Sequence, residues 1–98
     1  MRTLLKVSIP VQKGNEAFKS GALQQTMQAA TERLKPEAAY FYPEDGKRTA
    51  IFVFDMEGSW QLPPTVEPLF TNLDAAVHVI PVMNADDLER GLKEAADV

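Results

Sequence analysis

The stretch Thr49-Ala50-Ile51-Phe52-Val53-Phe54-Asp55 is apolar on both sides. In an extended chain Ile51 and Val53 point one way, and Ala50, Phe52 and Phe54 the other. A strand with one wet face alternates; this one does not, which predicts a central strand covered on both faces. Residues 3–11 form a second strand. Thr3, Leu5, Val7 and Ile9 make its core face, and Leu4, Lys6 and Ser8 a mixed face. In residues 38–42, Tyr40 and Tyr42 share one side and Phe41 takes the other. Pro43-Glu44-Asp45-Gly46 has tight-turn chemistry and joins that strand to 49–55 as an antiparallel hairpin. Residues 75–82 give a fourth strand, with Val77 and Val79 on one face and Ala76, His78, Ile80 and Val82 on the other.

Three segments carry the helical period. Phe18, Ala22, Thr26, Ala30 and Leu34 fall at i, i+4, with Leu23 and Met27 beside them. Lys13-Gly14-Asn15 reads as a turn, with Asn15 as the helix cap. Ser20-Gly21 interrupts this stripe, so one continuous helix and two successive helices both fit. Pro36 ends it by pushing Lys35 out of the helical region. Pro63-Pro64 opens a second helix, because a first turn has no use for its amide protons. Its expected buried stripe is Leu62, Val66, Leu69, Phe70 and Leu73, ending near Asn72. Asn84, followed by Asp86 and Asp87, begins a last helix. Leu88, Leu92 and Ala95 give that helix an apolar edge, and Gly91 weakens it by about 1 kcal/mol relative to alanine.

The order strand, helix, strand, strand, helix, strand, helix is the split βαβ pattern. It predicts a single α+β domain over residues 1–98: a ferredoxin-like four-stranded antiparallel sheet with the first and third strands central. Both main helices lie on one face, and an extra helix follows at the C-terminus. The other face is then expected to carry Leu4, Phe52, Phe54, Ile80 and either Tyr40 and Tyr42 or Phe41. That is too much apolar surface for one side of a soluble monomer. The expected partner is a second copy, sheet against sheet, since a twofold contact needs only one self-complementary patch.

Composition narrows the function. With no cysteine in 98 residues, a disulfide framework, a thiolate metal site and a cysteine nucleophile are excluded. The lack of cysteine fits a reducing cytoplasm, and the start Met1-Arg2-Thr3-Leu4-Leu5-Lys6 has no apolar signal-peptide core. No stretch is long enough for a membrane span. The net charge of −4 and the scattered lysines and arginines disfavour nucleic-acid binding. No Gly-rich phosphate loop or dinucleotide fingerprint occurs, and a single histidine gives no metal-ligand set. No cofactor is expected.

The element order, the length and the two-faced sheet, together with Lys35-Pro36-Glu37-Ala38-Ala39-Tyr40-Phe41 and Pro81-Val82-Met83-Asn84-Ala85-Asp86-Asp87-Leu88, resemble the dimeric α/β-barrel superfamily, and within it a small uncharacterised bacterial family. The resemblance implies ferredoxin-like subunits whose sheets share a homodimeric barrel. Members of that superfamily include cofactor-free monooxygenases, haem-degrading enzymes and isomerases. The resemblance transfers no activity to this chain.

Candidate chemistry lies on the mixed face. Lys6, Ser8 and His78 share its parity, and antiparallel neighbouring strands put His78 within reach of Lys6 or Ser8. With Tyr40, Tyr42, Phe52, Phe54 and Trp60 they outline a site for a small, largely apolar molecule, in the barrel or between sheet and helices. His78 is the one group suited to proton transfer near neutral pH. A lone strand histidine is more often structural, Lys6 can snorkel to the barrel rim, and Trp60 fits a lid or a packing residue over the second main helix. A binding protein, a cofactor-free enzyme using His78 and a purely structural dimer are therefore the three readings.

Overall fold

The computed structural model describes all 98 residues. Strand β1 (Arg2–Ile9) leads into helices α1 (Val11–Ser20) and α2 (Ala22–Leu34). The hairpin β2 (Ala38–Glu44) and β3 (Lys47–Asp55) follows, and then a 3-10 turn over Ser59–Gln61. Helix α3 (Leu62–Leu73), strand β4 (Ala76–Pro81) and helix α4 (Ala85–Ala96) complete the chain. The sheet is antiparallel throughout, in the order β2-β3-β1-β4. The two most apolar strands are central, as expected, and the order is compatible with a ferredoxin-like fold.

Local chemistry sets the breaks. Gly21 has φ 88°, a left-handed conformation open to glycine, and separates α1 from α2. The continuous-helix alternative is thereby excluded. The hairpin loop is only Asp45-Gly46, at φ 54° and 73°, while Glu44 still pairs with Lys47. This is the two-residue turn whose twist matches the strands. Pro43 therefore lies in β2 rather than in the turn, where an edge strand tolerates it. Residues 13–15 are helix rather than turn. Helix α1 starts directly after Pro10, so Asn15 is an interior residue and caps nothing.

The core lies between the sheet and α1, α2 and α3. Antiparallel pairing aligns Val79, Leu5, Phe52 and Ala39 in one row, and Val77, Val7, Ala50 and Phe41 in the next. Phe52 and Leu5 are wholly buried, and Phe54 nearly so. Phe41 meets Phe52 edge to face, ring centroids 5.8 Å apart. This corrects the expected parity: Phe52 and Phe54 face the helices, and Ile51 and Val53 face the open side. The cause is register, because Phe52 lies opposite Leu5 and Phe54 opposite Thr3; a one-residue slip would exchange the faces.

The helices bury Ala17, Thr26, Ala30, Leu34, Thr65, Leu69 and Leu73. Phe18 and Phe70, expected inside, are exposed. Each helix is rotated so that a small residue, Ala17 or Thr65, meets the core instead. Thr65 carries a cost, since its Oγ1 is buried without a hydrogen-bond partner. Thr65→Val is expected to raise stability by about 1 kcal/mol by deleting that orphan while keeping the shape. A thermal melt checks this, with Tm rising by roughly 4–8 °C for a domain of this size.

Candidate functional site

No helix covers the second face of the sheet. Three cross-strand rows run across it: Ile80-Leu4-Val53-Ala38, His78-Lys6-Ile51-Tyr40 and Ala76-Ser8-Thr49-Tyr42. The first row is wholly apolar. Ile80 and Tyr40 are 51% and 63% exposed, and Leu4, Ile51 and Val53 are half-buried.

The polar residues of this face have specific positions. The first and fourth strands are antiparallel neighbours, as expected, and of the two candidates Lys6 is the cross-strand partner of His78, whereas Ser8 lies opposite Ala76. The Lys6 Nζ reaches over β3 to form an ion pair with Glu44, whose Oε1 also accepts a hydrogen bond from the Tyr42 hydroxyl at 3.2 Å. His78 is exposed on the outer strand, and its imidazole has no hydrogen-bond partner. The Lys6 hydrogen bond holds the Glu44 carboxyl below its usual range, and the same bond raises Lys6. Glu44's contribution to stability is complete above its unfolded-state pKa and is lost as pH falls through the lowered folded value. Lys6's contribution is lost as pH rises through its raised folded value. Both groups are partly exposed, so the contribution is small. Lys6→Met is expected to return the Glu44 carboxyl toward its ordinary range, read by NMR titration of its side-chain carbon.

A second region lies on the opposite, helix-covered side, at the edge where β2 and β3 meet α1 and α2. It is a groove of about 610 Å³. Ile9, Leu23, Met27, Phe41 and Ala50 form its apolar wall, and Arg48, Lys47 and Asn15 its polar rim. The Arg48 Nη1 donates to the Asn15 Oδ1 at 3.0 Å. Gly14 makes room for it: a Cβ there would lie 2.8 Å from Arg48 Nη1 and 3.3 Å from Ile9 Cγ2. No carboxylate neutralises Arg48. A guanidinium held by a neutral amide beside an apolar groove suits an amphipathic anion.

The expected site residues thus divide. Lys6, Ser8, Tyr40 and His78 lie on the open face. Tyr42 belongs to that face and also edges the groove. Phe52 and Phe54 are closed in the core and line neither region. Trp60 is 68% exposed, and its indole lies against Gly58, where an added Cβ would come within 2.3 Å of Nε1. It lines no part of the groove. Arg48, Asn15, Leu23 and Met27 were absent from the expected set. The one signal for them is Gly14: a glycine inside a helix costs conformational entropy, and its presence there marks a close approach of another segment.

No group of His, Cys, Asp and Glu side chains is arranged to hold a metal, and no helix is long and apolar enough to cross a membrane. Neither the protein-family models nor the curated proteins compared with this chain match it.

Proposed function

We propose that the protein is a homodimer joined through the open sheet face, and that each subunit binds a small, largely apolar molecule between its sheet and helices α1 and α2. The observation that carries the binding role is the groove itself, with its apolar wall and an Arg48 that has no acidic partner. The dimer is supported by the apolar row Ile80-Leu4-Val53-Ala38, which nothing in the same chain covers. The resemblance to dimeric α/β barrels supports the same closure. Arg48 selects a ligand with a negative group at one end, a carboxylate or sulfonate, and the wall receives the rest.

The test uses 1-anilinonaphthalene-8-sulfonate, an apolar anion whose fluorescence reports burial. The wild-type protein is expected to bind it saturably, one molecule per subunit. Arg48→Met should weaken binding about 10-fold or more, the size of a lost hydrogen bond to a charged group. His78→Ala, on the other side of the sheet, should leave it unchanged. Non-saturable binding, or equal affinity in Arg48→Met, would contradict the groove and favour the purely structural dimer. The second reading, cofactor-free proton transfer by His78, rests on its pairing with Lys6 on a face that a second copy would enclose. Turnover of an acidic carbon or phenol, lost in His78→Ala, would support it over the binding role.

A further inference from the structure

Helix α4 is tied to its own chain by an ion pair at its first turn and by no packed face. None of its residues is buried. The molecule measures 54 × 28 × 18 Å, with a radius of gyration of 15.5 Å, against about 13 Å for a compact chain of this length. The excess length corresponds to a projecting helix about 18 Å long. The helix is nevertheless carefully specified. Asn84 and Asp87 form a reciprocal capping box, and Lys93–Glu89 and Arg90–Glu94 are i, i+4 ion pairs on its charged sides. Arg2, on the open face, ties its first turn through Asp87. Caps and exposed pairs each add only a small increment, and a 12-residue helix containing Gly91 remains marginal alone in water. Its order needs a packing partner.

The partner must be apolar. Ala85, Leu88, Leu92 and Ala95 recur at spacings of three, four and three, which places them in one stripe. Leu88 and Leu92 are 46% and 61% exposed. Its own subunit has an apolar shelf between α3 and β4, lined by Leu62, Val66, Phe70, Val77 and Val79. The helix leaves that groove, about 410 Å³, empty.

We infer that α4 is an exchanged arm: in the homodimer proposed above, each copy lays the Ala85-Leu88-Leu92-Ala95 stripe against the other. This rests on the dimer reading and adds to it how the two copies are held. Area favours a second copy over a foreign partner. The chain exposes 6539 Å², roughly 950 Å² more than the about 5,600 Å² expected of a compact monomer of its 10.9 kDa mass. A stable dimer buries about 800 Å² on each partner, so the excess left by the open face and the projecting arm matches one such interface. Asp87, tied to Arg2, sets the root of the arm at the rim of the same face, so the arm continues one interface.

The experiment measures the dimer dissociation constant of the full chain by sedimentation equilibrium, for wild type, for Leu88→Asp/Leu92→Asp and for Glu89→Gln/Lys93→Gln. The expected result is a wild-type dimer that the stripe variant weakens at least 10-fold and the charged-side variant leaves within twofold. Hydrogen exchange on the same samples should show α4 amides protected in the dimer and unprotected in the stripe variant. The sheet amides should stay protected in both, which separates loss of the arm from loss of the fold. A wild-type dimer with unchanged affinity in the stripe variant would overturn the arm and leave the sheet-face dimer standing. A wild-type monomer at every concentration would overturn both.

Discussion

Phe52→Ala is expected to destabilise the subunit by about 3–5 kcal/mol, the cost of removing a fully buried aromatic side chain from a packed core. Phe52 has no exposed surface. It lies in the row with Leu5 and Val79 and stands perpendicular to the Phe41 ring in an edge-to-face pair. Removing the ring leaves a cavity that β1 on one side and β2 on the other can close only by distorting the sheet. Typical domain stability is about 5–15 kcal/mol, so a large part of it is lost. Urea unfolding followed by circular dichroism checks this: the midpoint should fall steeply with little change in slope. A loss below about 1 kcal/mol would mean that the ring is not packed as described.

Ile51→Asp should do the opposite. Ile51 is the next residue along the same strand, but it faces the open side at the centre of the row His78-Lys6-Ile51-Tyr40. In an isolated subunit its side chain is half-buried, and an aspartate there costs on the order of 1 kcal/mol through lost strand preference. Between the two sheets of the proposed dimer the same carboxylate would be buried without a dedicated partner, a cost of about 3–5 kcal/mol. The variant should therefore fold, melt cooperatively and dissociate at concentrations roughly 100-fold or more above those that separate wild-type subunits. Size-exclusion chromatography with light scattering, alongside a thermal melt, reads both properties. A variant that unfolds outright would instead assign Ile51 to the core. Lys6 is its cross-strand neighbour, and Lys6→Met in the same background tests whether that ammonium compensates the new charge.

The contrast between residues 51 and 52 also marks what the sequence makes legible. Element order, the central pair of strands, the Pro63-Pro64 helix start, the Asn84 cap and the antiparallel neighbouring of the first and fourth strands all follow from local chemistry or from a two-residue period, and all are present. Which side of β3 faces the helices does not follow, because Thr49 to Asp55 is apolar on both sides and its period carries no direction. Only the pairing of Phe52 with Leu5 decides it. The same ambiguity moved two phenylalanines from the expected site into the core. Asn15 failed for another reason. Its capping propensity is real, but Pro10 starts the helix five residues earlier and frees the Asn15 amide to hold Arg48. The groove depends on contacts between distant segments, Gly14 with Arg48 and Leu23 and Met27 with Phe41's end of the sheet, and no local pattern encodes those. The apolar stripe of α4 is legible in the sequence; that no face of its own chain buries it is not.

The measurement that most directly tests the central claim, that a second copy covers the open sheet face, is the mass of the wild-type protein by sedimentation equilibrium at micromolar concentration. The expected mass is twice that of the 10.9 kDa chain, reverting to the single chain in Ile51→Asp. A wild-type mass equal to one chain across the concentration range would contradict it.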